Sequence, residues 1–252
     1  MRLIDGAKYA QLVVTWLREQ VQKAKAKGVV LGISGGLDSA VLAVLAKRAF
    51  PDDTLGLILP CHSQAEDAAH AELLAHQFDI RTVTVDLTPV YDLFVDILEQ
   101  KTGPSDTSQV ALGNIKSRLR MNTLYYFASF HNYLVIGATN KSELMTGYFT
   151  KHGDSGVDLL PIAGLVKTEV RQLAEYLQVP QVIIDKPPSA GLWPGQTDEQ
   201  EMGFSYEDLD RYLWEGVGTD EFTARMRDIV AKTAHKRAFP SMPEFPVPYV
   251  NR

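Results

Sequence analysis

The chain has 252 residues and a formal net charge of −6 with histidine neutral. That balance argues against a global grip on nucleic acid, because neutralising phosphates calls for a basic face. The single cysteine, Cys61, excludes an intramolecular disulfide framework and any CxxC zinc or redox site, and is in keeping with an intracellular protein.

In chain order, apolar residues at three- and four-residue steps (Tyr9, Leu12, Val13, Trp16, Leu17, Val21) predict a helix over 5–25. The short β-branched run 28–33, bounded by glycine, predicts a buried strand. The polar turn Ser34-Gly35-Gly36-Leu37-Asp38-Ser39 follows, then an alanine- and leucine-rich helix over 40–50. The longest strongly apolar stretch, 40–46, is far short of the roughly 20 residues a membrane span needs. Neither end carries an export or lipidation signal, so no membrane attachment and a cytoplasmic location are expected. Strands are predicted at 55–59, 81–85 and 133–137, with a final strand at 181–184. Helices are predicted at 64–76, 90–100, 109–131, 167–177, 206–214 and 219–237. The segments 146–165 and 187–205 are too long and polar for idle connections. The tail 239–252, with four prolines, is expected to be extended. Strands alternating with helices predict an α/β fold, a three-layer α/β/α Rossmann-like architecture with a mainly parallel twisted sheet, whose ligands sit at the carboxyl ends of the strands.

A strand, the SGGLDS turn and a helix form an anion-binding arrangement. Gly35 and Gly36 let backbone N–H groups converge on a phosphate, Ser34 and Ser39 add hydroxyls, and the helix start adds its positive dipole end. Asp38 suits such a place if a divalent cation sits between it and the phosphates. Its bland alternative is a helix cap. The string resembles the pyrophosphate loop of the ATP pyrophosphatase superfamily, which implies cleavage of ATP between the α- and β-phosphates. Neither the GxxxxGK[ST] loop nor the GxGxxG loop is present.

Within that superfamily, several blocks resemble the NAD synthetase family. They are 113–121 (Gly113-Asn114 and Arg118-Leu119-Arg120-Met121), 137–143 (GATNKSE), 147–154 (GYFTKHGD), Asp158-Leu159-Leu160-Pro161-Ile162 with Lys167, the segment 188–210, and His235-Lys236-Arg237. The match runs from about residue 5 to 237 and is read as one domain over 1–252, with a core at 26–186 and a substrate-binding part at 187–252. The resemblance implies the adenine nucleotide alpha hydrolase-like fold. It implies adenylation of deamido-NAD (nicotinic acid adenine dinucleotide) by ATP, release of pyrophosphate, then attack by ammonia with loss of AMP. It implies ATP contacts at Gly32, Ile33, Ser34, Gly35, Gly36, Leu37, Asp38, Ser39, Ala138, Lys167 and Ser189. Mg2+ would be held by Asp38 and Glu143, and deamido-NAD by Arg118, Lys151, Asp158, His235 and Lys236. Asp38, Lys151, Asp158 and Lys167 are the expected catalytic residues. Ala138 departs from the threonine often found there, and the adjacent Thr139 is the candidate replacement. Arg225, Arg227, Lys232, His235, Lys236 and Arg237 form the expected basic patch for an anionic substrate.

A glutaminase domain would need a nucleophilic cysteine and over two hundred further residues, whereas the first core strand begins near residue 28. Free ammonia is therefore the expected nitrogen donor. The resemblance also implies a homodimer. The helices over 5–25 and 109–131 could supply its interface, and from periodicity both could equally cover the sheet. Among rivals, thiolating relatives typically use a cysteine pair, which this chain lacks. The long segments 146–165 and 187–205 are expected to close over the adenylate.

Overall fold

The computed structural model describes residues 3–103, 108–193 and 195–243. Its first half alternates α1 (Gly6–Lys23), β1 (Gly28–Gly32), α2 (Leu37–Ala49), β2 (Thr54–Ile58), α3 (Ala65–Gln77) and β3 (Arg81–Thr84). Two helices, α4 (Thr88–Thr102) and α5 (Gln109–His131), then lead to β4 (Tyr133–Val135). The second half is helical: α6 (Lys141–Thr146), α7 (Lys167–Leu177), α8 (Gln181–Ile184), α9 (Asp198–Met202), α10 (Tyr206–Glu215), α11 (Asp220–Lys232) and a 3-10 turn, Ala234–Lys236. The predicted tail beyond 243 lies outside the described residues.

The four strands among the described residues are parallel, in the order β3-β2-β1-β4. From β1 the chain steps outward to β2 and β3, then returns to place β4 on the other side of β1. The direction of winding therefore reverses at β1, and a crevice opens at its carboxyl end, where the SGGLDS turn lies. Alternating residues of β1 serve two cores. Val29 and Leu31 pack with α1, α2 and α7, while Val30 joins Leu55, Leu57 and Val135 beneath α4 and α5. Parallel strands covered on both faces read as continuous apolar runs, and β1 is buried almost throughout.

The predicted final strand at 181–184 is instead the one-turn helix α8. Four residues, three of them apolar, carry no usable period. Here Pro180 starts the turn, and Ile183 and Ile184 are buried in the α2 and α7 core. The sheet position beside β4 is taken by residue 159, through a single parallel bridge from Ile136 to Leu159.

Helix α1 is capped by Asp5, which accepts from the Lys8 N–H at 3.1 Å. It buries Ala10, Val13, Val14, Leu17 and Val21 in the core with α2 and α7, so this face covers the sheet side, while Leu12 stays exposed. On α5, Ile115, Leu119, Leu124, Tyr125 and Phe127 likewise pack on the sheet. Helix α4 differs: Val90, Leu93, Phe94, Ile97 and Leu98 recur at helical spacing and are all exposed. A third core, built on Met202, Tyr206, Leu209 and Met226, holds α9, α10 and α11 together. No helix among the described residues is long and apolar enough to cross a membrane.

Candidate functional site

The SGGLDS turn is closed by its own side chains. Ser34 and Ser39 share a hydrogen bond between hydroxyls at 2.9 Å, and the Ser34 N–H donates to Ser39 Oγ at 3.2 Å. Gly35 has φ +75°, and a Cβ there would stand 2.2 Å from the Asp67 carbonyl oxygen, so only glycine lets α3 approach the turn. Gly36 starts α2 without a side-chain cap, leaving the first N–H groups of that helix facing the cleft. The turn borders a cavity of about 950 Å³, lined also by Ala138, Thr139, Glu143, Lys167, Ser189, Asp198 and Lys236.

Asp38, in the first turn of α2, meets two later parts of the chain. Its Oδ1 accepts from Asn140 Nδ2 at 2.9 Å and its Oδ2 accepts from Lys167 Nζ. Lys167 also faces Glu143 Oε1 at 3.5 Å. Glu143 is placed by a capping box at the start of α6, and Lys167 by its position at the first residue of α7. Burial alone would lower the Lys167 pKa, but Asp38 and Glu143 outweigh it and hold the ammonium charged. Burial, then the Asp38 charge, pushes the Glu143 carboxyl up to about 8. Asp38 thus ties α2 to α6 and α7, and is more than an exposed cleft residue.

The donor chemistry fits magnesium. Two carboxylates already converge on one cation, the Lys167 ammonium, beside a turn suited to phosphate. No three His, Cys, Asp or Glu side chains group as a complete metal site among the described residues. Magnesium does not require one, since it takes one or two carboxylates with phosphate oxygens and water.

Of the residues expected to contact the second substrate, Lys236 lines the cavity at its rim, whereas Arg118, Lys151, Asp158 and His235 do not line it. Lys151 Nζ donates to the His235 carbonyl at 2.7 Å, and Arg118 donates to the Lys151 carbonyl at 3.3 Å. Lys236 Nζ donates to the carbonyls of Gly147 and Phe149, each at 2.8 Å. Arg118, Lys151, His235 and Lys236 are thereby brought together. None of them is in an ion pair among the described residues, since their partners are neutral carbonyls. Asp158 stands apart: it accepts from Tyr125 Oη at 3.1 Å and the Val135 N–H at 2.8 Å, pinning the loop to the end of β4. The wider basic patch divides. Arg225 donates to the carbonyls of Met202 and Gly203 at the end of α9. Arg237 donates to the carbonyls of Leu144 and Met145 at the end of α6. Both close helix C-termini, and Lys232 pairs with Asp228 at 2.8 Å.

Several site residues carry no readable motif of their own. Lys116, buried on α5, donates to the Leu192 carbonyl at 2.9 Å, and Lys186 pairs with Asp67, so the first part of the 187–205 segment is fastened to the body at two points. Tyr148 donates to Glu201, which also accepts from Gln196 Nε2 at 2.8 Å, joining 146–165 to 187–205. Ser189 uses its hydroxyl within its own segment, donating to the Gln196 carbonyl at 2.7 Å. Asp198 is buried beneath Tyr206, and burial raises its pKa.

The family model described as NAD synthase matches residues 9–240. The NH(3)-dependent NAD(+) synthetase of Carboxydothermus hydrogenoformans is 50% identical over 240 residues, covering 95% of this chain and 98% of that protein. The solved structure of an NMN synthetase from Francisella tularensis superposes with a TM-score of 0.90 at 39% identity, covering 96% of this chain and all of that one. An NH3-dependent NAD synthetase from Campylobacter jejuni gives 0.79 at 30% identity, over 96% and 100% of the two chains.

Proposed function

We propose how the residues above divide the reaction, from the premise that the chain belongs to the NAD synthase family. The protein is an ammonia-dependent carbon–nitrogen ligase that converts deamido-NAD to NAD at the expense of ATP, the last step of NAD formation. A carboxylate is a poor acyl acceptor because its leaving group would be oxide. The nicotinate oxygen therefore attacks the α-phosphorus of ATP and pyrophosphate departs. Ammonia then attacks the activated carbonyl carbon and AMP leaves. No covalent enzyme intermediate is needed, so the protein positions the reactants and neutralises charge.

In this reading residues 32–39 cradle the phosphates, with Ala138, Lys167 and Ser189 also on ATP. Asp38 and Glu143 hold Mg2+, which supplies charge stabilisation for the departing pyrophosphate. Lys167 adds a second positive charge at the same place. Arg118, Lys151, His235 and Lys236 receive the anionic dinucleotide, and Asp158 orients the loop that carries Lys151. The observation that carries the reading is the meeting, in one cleft, of the glycine turn, the Asp38–Glu143–Lys167 cluster and the Lys236 end of the cation rim. The whole chain acts as one unit in the cytoplasm, a 26–186 core with a substrate-binding part at 187–252, and the segments 146–165 and 187–205 close over the adenylate. Incubation with ATP, Mg2+, deamido-NAD and ammonium should release AMP and pyrophosphate in step with NAD. Release that ignores deamido-NAD, or ADP in place of AMP, would end this assignment.

A second acid substrate rests on the Francisella structure, which is called an NMN synthetase. Nicotinate mononucleotide would present the same ring and carboxylate without the adenylate half. Comparing kcat/KM for the two acids decides between them: the dinucleotide reading requires the larger value for deamido-NAD.

The protein acts as a homodimer in this reading, through the apolar stripe of α4. Five exposed apolar side chains at helical spacing form a patch of the kind that marks an interface. Light scattering should give twice the chain mass, and Phe94→Glu should halve it. A wild-type protein that scatters as a single chain would remove this proposal.

A further inference from the structure

Asp198 opens α9 on the wall of the cleft and is only 3% exposed. Its Oδ2 accepts from Tyr206 Oη at 2.9 Å. Its Oδ1 is buried and has no hydrogen-bond partner among the described residues. Tyr148 is the next hydroxyl on that side, but it has one proton and gives it to Glu201. A buried carboxylate oxygen with nothing to accept from is costly, and its presence on a cleft wall points to a donor that arrives in another state of the site.

The neighbouring donor of the right charge is Lys167. Its ammonium has three N–H groups and lies 5.1 Å from the centroid of the Tyr206 ring, the ring whose hydroxyl holds Asp198. Asp38, Glu143 and Asp198 all bear on its charge. At present it rests on Asp38 and Glu143, the two carboxylates assigned above to the divalent cation. A cation taking those carboxylates removes both of the ammonium's acceptors and repels it. The ammonium then turns toward the arriving phosphates, and a buried carboxylate with an open oxygen is the protein group suited to hold it there.

We propose that Asp198 is a positioning residue that receives the Lys167 ammonium when a divalent cation occupies Asp38 and Glu143, and so fixes it toward the phosphates of ATP. The inference rests on the metal assignment above. It explains why the 187–205 segment delivers a carboxylate into the cleft and why that carboxylate keeps one oxygen open.

The test is equilibrium binding of ATP carrying a methylene bridge between its α- and β-phosphates, which cannot be cleaved there. Binding is measured with and without Mg2+ to the wild type, Asp198→Asn, Lys167→Met and the double variant. Asparagine keeps the shape of aspartate and still accepts from Tyr206. Asp198→Asn should weaken binding roughly tenfold with Mg2+ when Lys167 is present, and less than about twofold in the Lys167→Met background, the signature of coupled residues. Without Mg2+ it should change nothing. Tyr206→Phe, which keeps the ring but frees Asp198, should give a smaller loss with the same dependence on Lys167. Equal losses in both backgrounds, or no loss with Mg2+, would overturn the role of Asp198 while leaving the metal assignment intact. Wild-type binding that does not respond to Mg2+ would overturn both.

Discussion

The floor and the rim of the cleft hold positive charge in opposite ways. On the floor, Lys167 is locked between carboxylates from α2 and α6, and Asn140 completes the bonding of Asp38. At the rim, Lys151, Lys236 and Arg118 are steadied by backbone carbonyls, which orient them without cancelling their charge. A paired cation can be exchanged for a metal, whereas a carbonyl-held cation remains open to an anion. The floor therefore suits a metal–nucleotide complex and the rim a second anionic substrate.

Asp38→Ala should break the contrast most severely. Turnover, followed by pyrophosphate release, should fall roughly 10²–10³-fold through lost charge stabilisation. The melting temperature should also drop, corresponding to at most about 3 kcal/mol, since Glu143 still faces the Lys167 ammonium at 3.5 Å. Unchanged turnover would remove Asp38 from the metal site. Gly35→Ala tests whether the floor depends on backbone shape. The positive φ alone costs about 1–2 kcal/mol, and the clash with Asp67 displaces the turn. A displaced phosphate cradle should cost up to roughly 10²-fold in kcat/KM for ATP, and a normal value would show that the turn does not seat the nucleotide.

Lys236→Ala probes the rim. KM for deamido-NAD should rise roughly tenfold, about the worth of one charge-assisted hydrogen bond, with KM for ATP unchanged. An effect on ATP alone would dissolve the division between floor and rim. The smallest expected effect concerns pH. The Glu143 carboxyl, ordinarily near 4.5, is pushed up to about 8 in the folded protein, chiefly by burial. Between those values the folded chain keeps a proton that the unfolded chain releases, so stability without ligands should fall as pH rises through that window. Glu143→Gln should flatten this slope in denaturant titrations from pH 5 to 8. An identical slope in the variant would show that Glu143 does not titrate there.

Much of this arrangement was legible in residues whose roles are local. The SGGLDS turn needs glycine at a positive φ, hydroxyls within six residues and a helix start, all of which adjacent residues specify. The helices over 109–131 and 167–177 match their predicted bounds, and each is ended by a residue in the left-handed conformation, Asn132 and Gln178. The run at 181–184 folds differently from its prediction because three apolar residues in a row suit a strand or a buried turn alike. Arg225 and Arg237 read as substrate cations, yet helix ends far away in the sequence claim them.

The sequence by itself determined the alternation of elements, the phosphate turn and the family, because each depends on neighbouring residues or on ordered motifs. Only the tertiary structure decided that Asp38 meets Lys167 across 129 positions, that the α4 stripe faces outward, and that Asp198 lies buried within an otherwise acidic surface run. The physical reason is that burial and pairing belong to surfaces brought together by packing. No local pattern tells a carboxylate facing water from one closed beneath a tyrosine.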